Sequence, residues 1–410
     1  MSLVMSTRPG LTERQARVAV GVLFFTNGAL FANLLPRFPQ IKDELGMGNA
    51  AYGLAVATFP SGAIVAGLAA GVLIRRFGSA RVAVTGTILT GAWILAAGLS
   101  SSVWAFAGAL FLAGAMDAIT DVAQNEHGLR VQRRYGRSII NSFHAIWSIG
   151  AVTGGAMAAG AIALGLSRGP HLGISAAVFA VAALAAARFC LPGQETDPAV
   201  DPEGDVPGDA PGDVPGTRRK EAPGRGPRTL FVLGALVLIA TSGALVEDAG
   251  SSWAAVYLSD SLAASVALAA SGYIALVGAQ FIGRLIGDRL VDRFGQRAVA
   301  RVGGLVAAAG MGLALAVPTV PGTILGFAAA GFGVATLVPA AMHEADELPG
   351  LRPGSGLTIV SWLMRLGFLC SPPVVGLIAD ATSLRVGLLV VPFAGLLVVL
   401  LAGVLRKRLR

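Results

Sequence analysis

Twelve apolar runs, each about 18 to 27 residues long, occupy almost the whole chain, and this feature constrains the fold most. About 20 residues of helix, rising 1.5 Å each, cross the 30 Å hydrocarbon layer of a bilayer. The chain is 54% hydrophobic and 13% charged, more apolar surface than a soluble core would bury. The sequence therefore predicts an all-α membrane protein with twelve transmembrane helices. The runs cover residues 18–35, 51–74, 82–99, 103–128, 139–163, 172–190, 229–255, 263–287, 298–318, 321–345, 355–379 and 384–405.

A short phrase occurs twice, after the second apolar run of each half of the chain. Gly71-Val-Leu-Ile-Arg-Arg-Phe-Gly78 and Asp288-Arg-Leu-Val-Asp-Arg-Phe-Gly295 lie 217 residues apart, measured from Arg76 to Arg293. A duplicated six-helix unit needs the same tight, basic hairpin in each copy, and such internal repeats are typical of transporters. The sequence predicts two six-helix bundles, residues 1–191 and 229–410.

Residues 192–228 between the bundles have a different composition, with a repeated Asp-Val-Pro-Gly pattern and no apolar periodicity. This composition predicts a disordered cytoplasmic linker. The alternative is a partner-binding segment, because an acidic first part precedes a basic end at Arg218, Arg219 and Lys220.

Cationic residues recur at every second loop, which indicates an orientation under the positive-inside rule. One side receives the two ends of the chain, the linker, and the sets Arg75–Arg81, Arg130–Arg137 and Arg289–Arg301. The other side receives only Arg37, Lys42, Arg168 and Arg385. Both termini are therefore predicted to be cytoplasmic. A nucleic-acid-binding surface is excluded, because it would place the cations on one soluble face.

The fourth apolar run carries Asp117, Asp121 and Asn125 at i, i+4 and i+8, so the three side chains share one helical stripe. Carboxylates are costly in hydrocarbon, so this stripe must face protein or water. We expect Asp117 and Asp121 to carry a proton or contact a substrate. The alternative is a structural pair stabilised by neighbouring hydroxyls.

Polar residues on two other runs complete a candidate site in the first half. Asn141, His144 and Ser148 share a face of the fifth run, with Trp147 beside them, and Asn27 lies in the first run. A titratable imidazole and an indole donor suit a substrate cavity. The alternative for His144 is a hydrogen bond to neighbouring groups.

The second half contributes Glu247 as a further proton-coupling candidate and Arg365, with Trp362 one turn before it, as substrate-binding candidates. Arg365 lies too deep in its run to reach the interface easily, so it should meet an acidic partner or a substrate carboxylate. If it paired with Asp117, that aspartate would stay ionised and would be a poor proton carrier. Trp253 and Tyr257 are predicted to form part of an interfacial aromatic belt.

Several chemistries are excluded by the motifs of the chain. It has no G-x-x-x-x-G-K-[ST] phosphate loop, which argues against ATP-driven pumping, and no H-E-x-x-H or G-x-S-x-G motif of a hydrolase. The chain is therefore not expected to be an enzyme, and no cofactor or metal is predicted. His343, Glu344, Asp346 and Glu347 lack a metal-ligand pattern and are predicted to form a cytoplasmic gate or a solvated helix end.

These features together resemble the major facilitator superfamily over the whole chain. Its loop motif, G-x-L-a-D-R-x-G-R-R, is matched in the two phrases by Gly71, Leu73, Arg76, Gly78, Leu290, Asp292, Arg293, Gly295 and Arg297. The chain departs from it at Arg75, where the family has aspartate, and at Asp288, where it has glycine. The family aspartate helps to latch the halves in the outward-facing state. The resemblance therefore implies a weakened first-half latch and a larger role for Asp292.

A narrower resemblance is carried by Leu35-Pro-Arg-Phe-Pro-Gln-Ile-Lys42, Asp121-Val-Ala-Gln-Asn-Glu126 and Ser142-Phe-His-Ala-Ile-Trp-Ser148, and by Glu247 with Trp253. These segments are similar to the bacterial branch around the rhizopine-transport protein MosC. The resemblance implies a sugar, polyol or amino-sugar-like solute.

The expected protein is a proton-coupled secondary transporter in the bacterial inner membrane, a multi-pass monomer in contact with lipid. The alternatives are an efflux pump for drugs or natural products and a transporter-like sensor that does not translocate.

Overall fold

The computed structural model describes residues 10–135, 139–193, 226–349, 351 and 355–406. Within these ranges the chain is helical and contains 12 segments long and apolar enough to cross a membrane, which confirms the predicted fold class. The twelve spans are, in chain order, Leu11–Glu44, Asn49–Phe77, Ser79–Gly98, Val103–Tyr135, Ser142–Ala163, Arg168–Ala187, Pro227–Ser261, Val266–Phe294, Gln296–Ala316, Val320–Asp346, Ser355–Ala381 and Leu384–Val404.

Five spans are interrupted within their length. Span 1 consists of Leu11–Ala32, a 3-10 turn at Leu35–Arg37 and Phe38–Glu44. Each of the other four contains two helices: Asn49–Val56 and Thr58–Phe77 in span 2, Val320–Val334 and Leu337–Asp346 in span 10, Ser355–Leu363 and Arg365–Ala381 in span 11, and Leu384–Gly387 and Val390–Leu401 in span 12. Such breaks are tolerated at membrane depth only where protein or water satisfies the freed backbone groups. At the break in span 2, the Thr58 hydroxyl lies 2.6 Å from the Ala55 carbonyl and 2.8 Å from the Ala107 carbonyl.

Residues 10–193 form the N-terminal half and residues 226–406 the C-terminal half, and the same helix pairs pack in both. Spans 1 and 5, 2 and 4, 3 and 4, and 3 and 6 are neighbours in the first half. Their counterparts in the second half, spans 7 and 11, 8 and 10, 9 and 10, and 9 and 12, are neighbours too. The repeat in the sequence therefore corresponds to a repeated three-dimensional arrangement. The main contacts between the halves join span 2 to span 11 and span 5 to span 8.

Small residues bring spans 1 and 5 together, as expected for helices packing in lipid. A Cβ atom on Gly150 would lie 2.2 Å from the Phe25 carbonyl oxygen, and one on Gly154 would lie 2.3 Å from that of Ala29. Gly155 faces Tyr273 and Ile274 of the other half.

Both copies of the repeated phrase end in the same one-residue turn. Gly78 joins Thr58–Phe77 to Ser79–Gly98 with a φ of 83°, and Gly295 joins Val266–Phe294 to Gln296–Ala316 with a φ of 82°. Positive φ is costly for residues with a Cβ atom, so the predicted glycine-closed hairpin depends on glycine at both positions.

We predict that Gly78→Ala lowers the free energy of unfolding by about 1–3 kcal/mol, because a residue with a Cβ atom disfavours this positive-φ, extended-ψ conformation. Gly71→Ala is the matched control, since Gly71 lies within a helix and a Cβ atom there would make only an ordinary contact with Arg75. Denaturant unfolding in detergent measures both. Equal stability of the two variants would contradict this account of the turn.

A second repeated set of contacts holds the end of the last helix of each half near these turns. His127 Nε2 accepts a hydrogen bond of 3.2 Å from the Leu191 amide, and Arg130 donates to the carbonyls of Pro192 and Gly193. In the other half, the Glu344 carboxylate accepts a hydrogen bond of 3.2 Å from the Arg406 amide, and Glu347 Oε2 lies 2.5 Å from the Arg406 guanidinium. His127 and Arg130 precede Glu344 and Glu347 by 217 residues, the interval that separates the two glycine turns.

This arrangement corrects the prediction for one member of the acidic cluster of span 10. Glu344 is only 7% exposed and binds the end of span 12, so it is not part of a solvated helix end. His343 is exposed, with its Nε2 atom 3.9 Å from Glu347.

The halves meet at one end of the molecule, which we term the closed end; it carries residues 33–48, 257–265 and 382–383. Lys42 Nζ lies 2.9 Å from Asp260 Oδ2. The Asp380 carboxylate accepts hydrogen bonds of 3.0 and 2.8 Å from the amides of Asn49 and Ala50, at the start of the Asn49–Val56 helix. A carboxylate at a helix N-terminus is stabilised by unpaired N–H groups and by the helix dipole.

An aromatic cluster lies beneath these polar contacts. The Tyr52 hydroxyl donates a 2.5 Å hydrogen bond to the Ser252 carbonyl, and its ring meets that of Trp253 edge-on, with the centroids 4.8 Å apart. Trp253 is 0% exposed and Tyr257 1% exposed. The prediction of an interfacial aromatic belt is therefore wrong for this pair, because both side chains are buried at the closed end.

The opposite end, which carries the two glycine turns, is the open end. Contacts between spans 5 and 8 involve Val152, Gly155, Tyr273 and Gly278, in the part of each span nearer the closed end. His144 of span 5 and Arg284 of span 8 lie one to three helical turns from these contacts, on the side of the open end, and both are exposed. The space between the halves is therefore accessible to water from this end.

Backbone contact at the closed end yields a direct test. A Cβ atom on Gly376 would lie 2.3 Å from the Asn49 carbonyl oxygen, whereas one on Gly67 of span 2 would meet nothing within 4 Å. We predict that Gly376→Leu separates the halves at the closed end, and that Gly67→Leu does not. The measurement is labelling of Ser251→Cys, in a Cys190→Ser, Cys370→Ser background, by an impermeant maleimide supplied from the closed-end side. Equally slow labelling in both variants would contradict the prediction.

A candidate solute site between the halves

A cavity of about 240 Å³ lies between the halves, below the aromatic cluster of the closed end. Spans 1, 2, 4 and 5 line it on one side, and spans 7, 8 and 11 on the other. Its polar lining groups are Asn27, Asp117, Trp147, Glu247, Asp248, Ser251, Ser252, Tyr273, Gln280 and Arg365. Phe31 and Phe59, stacked with their ring centroids 4.0 Å apart, and Phe368 form part of the apolar wall. The cavity therefore combines ionisable groups with flat aromatic surfaces.

Asn27 is the centre of the polar network in the N-terminal half. Its Oδ1 atom accepts hydrogen bonds from Trp147 Nε1 at 2.9 Å and from Gln124 Nε2 at 3.3 Å. Because both neighbours are donors, the amide orientation is fixed, and Asn27 Nδ2 donates to Asp117 Oδ1 at 2.8 Å. Asp117 is thus held by a neutral donor rather than by a cation.

Asp121 and Asn125 extend this network toward the open end. Asn125 Nδ2 donates to the Asp121 backbone carbonyl at 2.8 Å and to its Oδ1 atom at 3.1 Å. Gln124 Nε2 also lies 3.3 Å from Asp121 Oδ1, so this amide lies between Asn27 and the second aspartate. Gln124 is 0% exposed, and its own carbonyl oxygen has no hydrogen-bond partner within the described residues.

The predicted residues of span 5 have different surroundings. Trp147 lines the cavity. His144 is exposed on the open-end side, with its ring edge-on to Phe24 and the centroids 5.3 Å apart. Ser148 is buried, donates to the His144 carbonyl at 3.2 Å and is not among the cavity-lining residues. The side chain of Asn141 lies outside the described part of the structure.

In the C-terminal half, Glu247 has two partners on span 8. Gln280 Nε2 donates to Glu247 Oε2 at 2.6 Å, and Arg284 Nη2 lies 3.5 Å from the same oxygen. Gln280 and Arg284 are one helical turn apart, so both reach one carboxylate. Glu247 and Asp117 line the same cavity from opposite halves.

Asp248 is a further carboxylate of the cavity. The hydroxyls of Ser252 and Ser371 interact with it, and both serines are buried. Its Oδ2 atom is buried and has no hydrogen-bond partner within the described residues.

Arg365 lines the cavity directly after the break in span 11. It is exposed, and no hydrogen bond or salt bridge joins it to any residue that the structure describes. Its interaction with Asp121 is electrostatic and includes no hydrogen bond. A pairing of Arg365 with Asp117, or with another described carboxylate, is therefore absent from this conformation. Trp362 is 48% exposed and is not among the cavity-lining residues.

The residues of the loop motif lie at the open end. Asp288 and Asp292 are exposed and form no ion pair with residues inside the described ranges. Arg76 and Arg293 each lie over the ring of the following phenylalanine, Phe77 or Phe294, at 5.3 and 5.4 Å. The predicted latch at Asp292 is thus disengaged in this conformation.

Gln124, Asp248, Gln280 and Arg284 are among the polar residues of the site that were not predicted. Each could have been found by its spacing. Gln124 is three residues after Asp121, Asp248 adjoins Glu247, and Gln280 and Arg284 form a polar i, i+4 pair in an apolar run.

We predict that Asn27→Ala lowers the free energy of unfolding by about 1–3 kcal/mol, because the buried donors of Trp147 and Gln124 lose their acceptor. Asn125→Ala is the control, since Asn125 bonds only within its own helix and is partly exposed. Denaturant unfolding of both variants in detergent provides the comparison. A cost for Asn125→Ala as large as that for Asn27→Ala would contradict the central role of Asn27.

Twelve spans in two repeated halves around a polar cavity define the class of membrane transporters rather than that of enzymes. The family model described as Major Facilitator Superfamily matches residues 20–289 and 232–410. The chain therefore belongs to the Major Facilitator Superfamily.

Two relatives are similar along nearly their full length. An uncharacterized transporter, y4wD, of Sinorhizobium fredii is 30% identical, over 95% of this chain and 97% of the relative. Membrane protein MosC of Rhizobium meliloti is 28% identical, over 96% and 90%. The resemblance to the MosC branch is thus confirmed.

Solved structures share the fold. An inward-facing, occupied bacterial homolog of the human lysosomal transporter Spinster superposes with a TM-score of 0.71 at 15% identity, over 95% of each chain. A D-xylose-proton symporter superposes with a TM-score of 0.65 at 15% identity, over 95% of this chain and 96% of the other. Nucleoside transporter NupG gives 0.68 at 13% identity, over 96% and 100%.

Proposed function

We propose that this protein is a proton-coupled secondary transporter that moves a small polar solute across the bacterial inner membrane by alternating access. The observation that supports this most is the cavity between the halves. It contains ionisable groups from both halves and is closed at one end only. A polar site at the interface of two repeats is where a transporter of this architecture binds its solute.

The open end is the cytoplasmic one in this proposal. It carries Arg75, Arg76, Arg133 and Arg134 and the span ends around Gly295, whereas the closed end carries few cations. The positive-inside rule then places both chain ends in the cytoplasm and makes the conformation inward-open. Outward opening requires loss of the Lys42–Asp260 and Asp380 contacts and engagement of the open end, where Asp292 is free to act.

Asp117 is the first candidate for the proton, with Asp121 one turn nearer the open end. A carboxylate that is paired with an amide, and not with a cation, lacks the charge partner that would hold it ionised. Coupling requires that protonation and solute binding bias the same inward–outward equilibrium, with about 1.4 kcal/mol for each tenfold change in population.

The solute is proposed to be a sugar, a polyol or an amino-sugar-like compound. Four ionisable groups, Asp117, Glu247, Asp248 and Arg365, line a cavity of about 240 Å³, and the aromatic wall suits the apolar face of a ring. The ionisable lining favours such a solute over the bulky lipophilic substrates of an efflux pump. The two halves are proposed to move as six-helix bundles of one monomer, joined by the linker at residues 192–228.

The experiment is a flux assay on purified protein in proteoliposomes containing an internal pH dye. Sugars, polyols, amino sugars and lipophilic cations are added outside in turn. Solute-dependent acidification or alkalinisation is expected for members of the polar group. Flux with lipophilic cations alone would favour efflux, and binding without flux would favour a sensor.

We predict that Asp117→Asn abolishes uptake driven by a pH gradient and retains solute exchange at equal pH, because asparagine keeps the size of the side chain and cannot carry a proton. Glu126→Gln, at an exposed ion pair with Arg133, is the matched control and should retain both activities. Uptake at the wild-type rate in Asp117→Asn would contradict its role. The same pair of assays on Asp121→Asn tests the second aspartate.

A further inference from the structure

One carboxylate of the cavity is held by hydroxyl groups alone. Asp117 accepts a hydrogen bond from Asn27, and Glu247 is held by Gln280 and Arg284. Asp248 Oδ2, although buried at the cavity, accepts no hydrogen bond from the part of the chain that the structure describes. The described residues therefore give this carboxyl group no cationic donor.

The position of Asp248 explains why the protein itself does not supply that donor. The Tyr52 hydroxyl, from the other half, is already committed to the Ser252 carbonyl at 2.5 Å. The remaining polar groups next to Asp248 are the hydroxyls of Ser252 and Ser371. No cation of the described ranges forms a salt bridge with Asp248. A cationic partner for the Asp248 carboxyl group would therefore have to come from the contents of the cavity.

One cation of the cavity is also unpaired. Arg365 lines the same cavity, and no described carboxylate lies within salt-bridge distance of it. Asp248 lies on span 7 and Arg365 on span 11, and no bond joins the two groups. A guanidinium is a bidentate donor whose preferred partner is a carboxylate or phosphate. The cavity thus presents a carboxyl group without a cationic partner and a guanidinium without an anionic partner, both from the C-terminal half.

We propose that the solute is a zwitterion, whose ammonium group binds Asp248 and whose carboxylate binds Arg365. This rests on the proposed transport function and narrows its solute class. A neutral polyol would satisfy both groups only through uncharged hydrogen bonds, which are weaker than charge-assisted ones. A solute with a single charge would leave one of the two groups without a counter-charge.

The test uses two matched sets of compounds with the full-length protein in detergent. The first is glucose, glucosamine, glucuronate and 2-amino-2-deoxyglucuronate, which share one skeleton and differ only in charged groups. The second is the series of ω-amino acids from glycine to 6-aminohexanoate, with the corresponding alkylamines and alkanoates. Binding is measured by isothermal titration calorimetry. The zwitterion of at least one set is expected to bind about tenfold or more tightly than its singly charged and neutral counterparts.

Two substitutions separate the roles of the charges. Asp248→Asn should weaken binding of the zwitterion and of the amine-only compound, and leave the carboxylate-only compound unchanged. Arg365→Gln should weaken binding of the zwitterion and of the carboxylate-only compound, and leave the amine-only compound unchanged. A merely structural effect would weaken all compounds alike. Glu126→Gln and Arg188→Gln, which remove charges at residues that do not line the cavity, are the controls.

The outcomes distinguish this inference from the proposed function. Tightest binding of a neutral or singly charged compound in both sets overturns the zwitterion, and proton flux driven by such a compound would leave the transport function standing. If no compound of either set binds the wild-type protein, the inference is also overturned. Should a variant fail to fold, as judged by its unfolding midpoint, the order of affinities for the wild-type protein still decides.

Discussion

The cost of placing charge in hydrocarbon is the constraint on which the rest of the structure depends. An ionised side chain at the centre of a bilayer costs several kcal/mol, so each must face water, another polar group or a counter-charge. The chain meets this requirement by directing Asp117, Glu247, Asp248 and Arg365 into one cavity between its halves. Its outer surface carries exposed apolar residues such as Leu68, Leu313 and Leu400.

The interface at the closed end would have to separate in the proposed transport cycle. Its glycines place backbone against backbone, as Gly53 does against Pro372, while the contacts of its charged groups are few and lie above the buried aromatic cluster. Surface ion pairs such as Lys42–Asp260 are worth at most about 1 kcal/mol each. An interface of this kind can close tightly and still be opened by the binding energy of a small solute.

The sequence predicted the architecture well because its signals are local. The length of each apolar run predicts a membrane span, and the repeated phrase predicts the glycine turns at Gly78 and Gly295. The stripe of Asp117 and Asp121 was also visible, since helical spacing alone places both on one face. These features need no knowledge of how the helices pack.

The remaining features depend on packing between distant segments. Trp253 looked interfacial from its position near a helix end, but Tyr52 of the other half buries it. Ser148 has the right spacing for a cavity face, yet it bonds within its own helix. The network around Asn27 joins three spans, so no single run could have revealed it.

The central claim is that the halves rock about the cavity, and distances between spin labels at the two ends test it most directly. Labels at Asp43 and Ser261 report on the closed end, and labels at Arg134 and Leu357 on the open end, in a Cys190→Ser, Cys370→Ser background. In nanodiscs, over a range of pH and with a bound solute, the account predicts a second population in which the first distance lengthens and the second shortens. Two distances that never change, or that lengthen together, would contradict it.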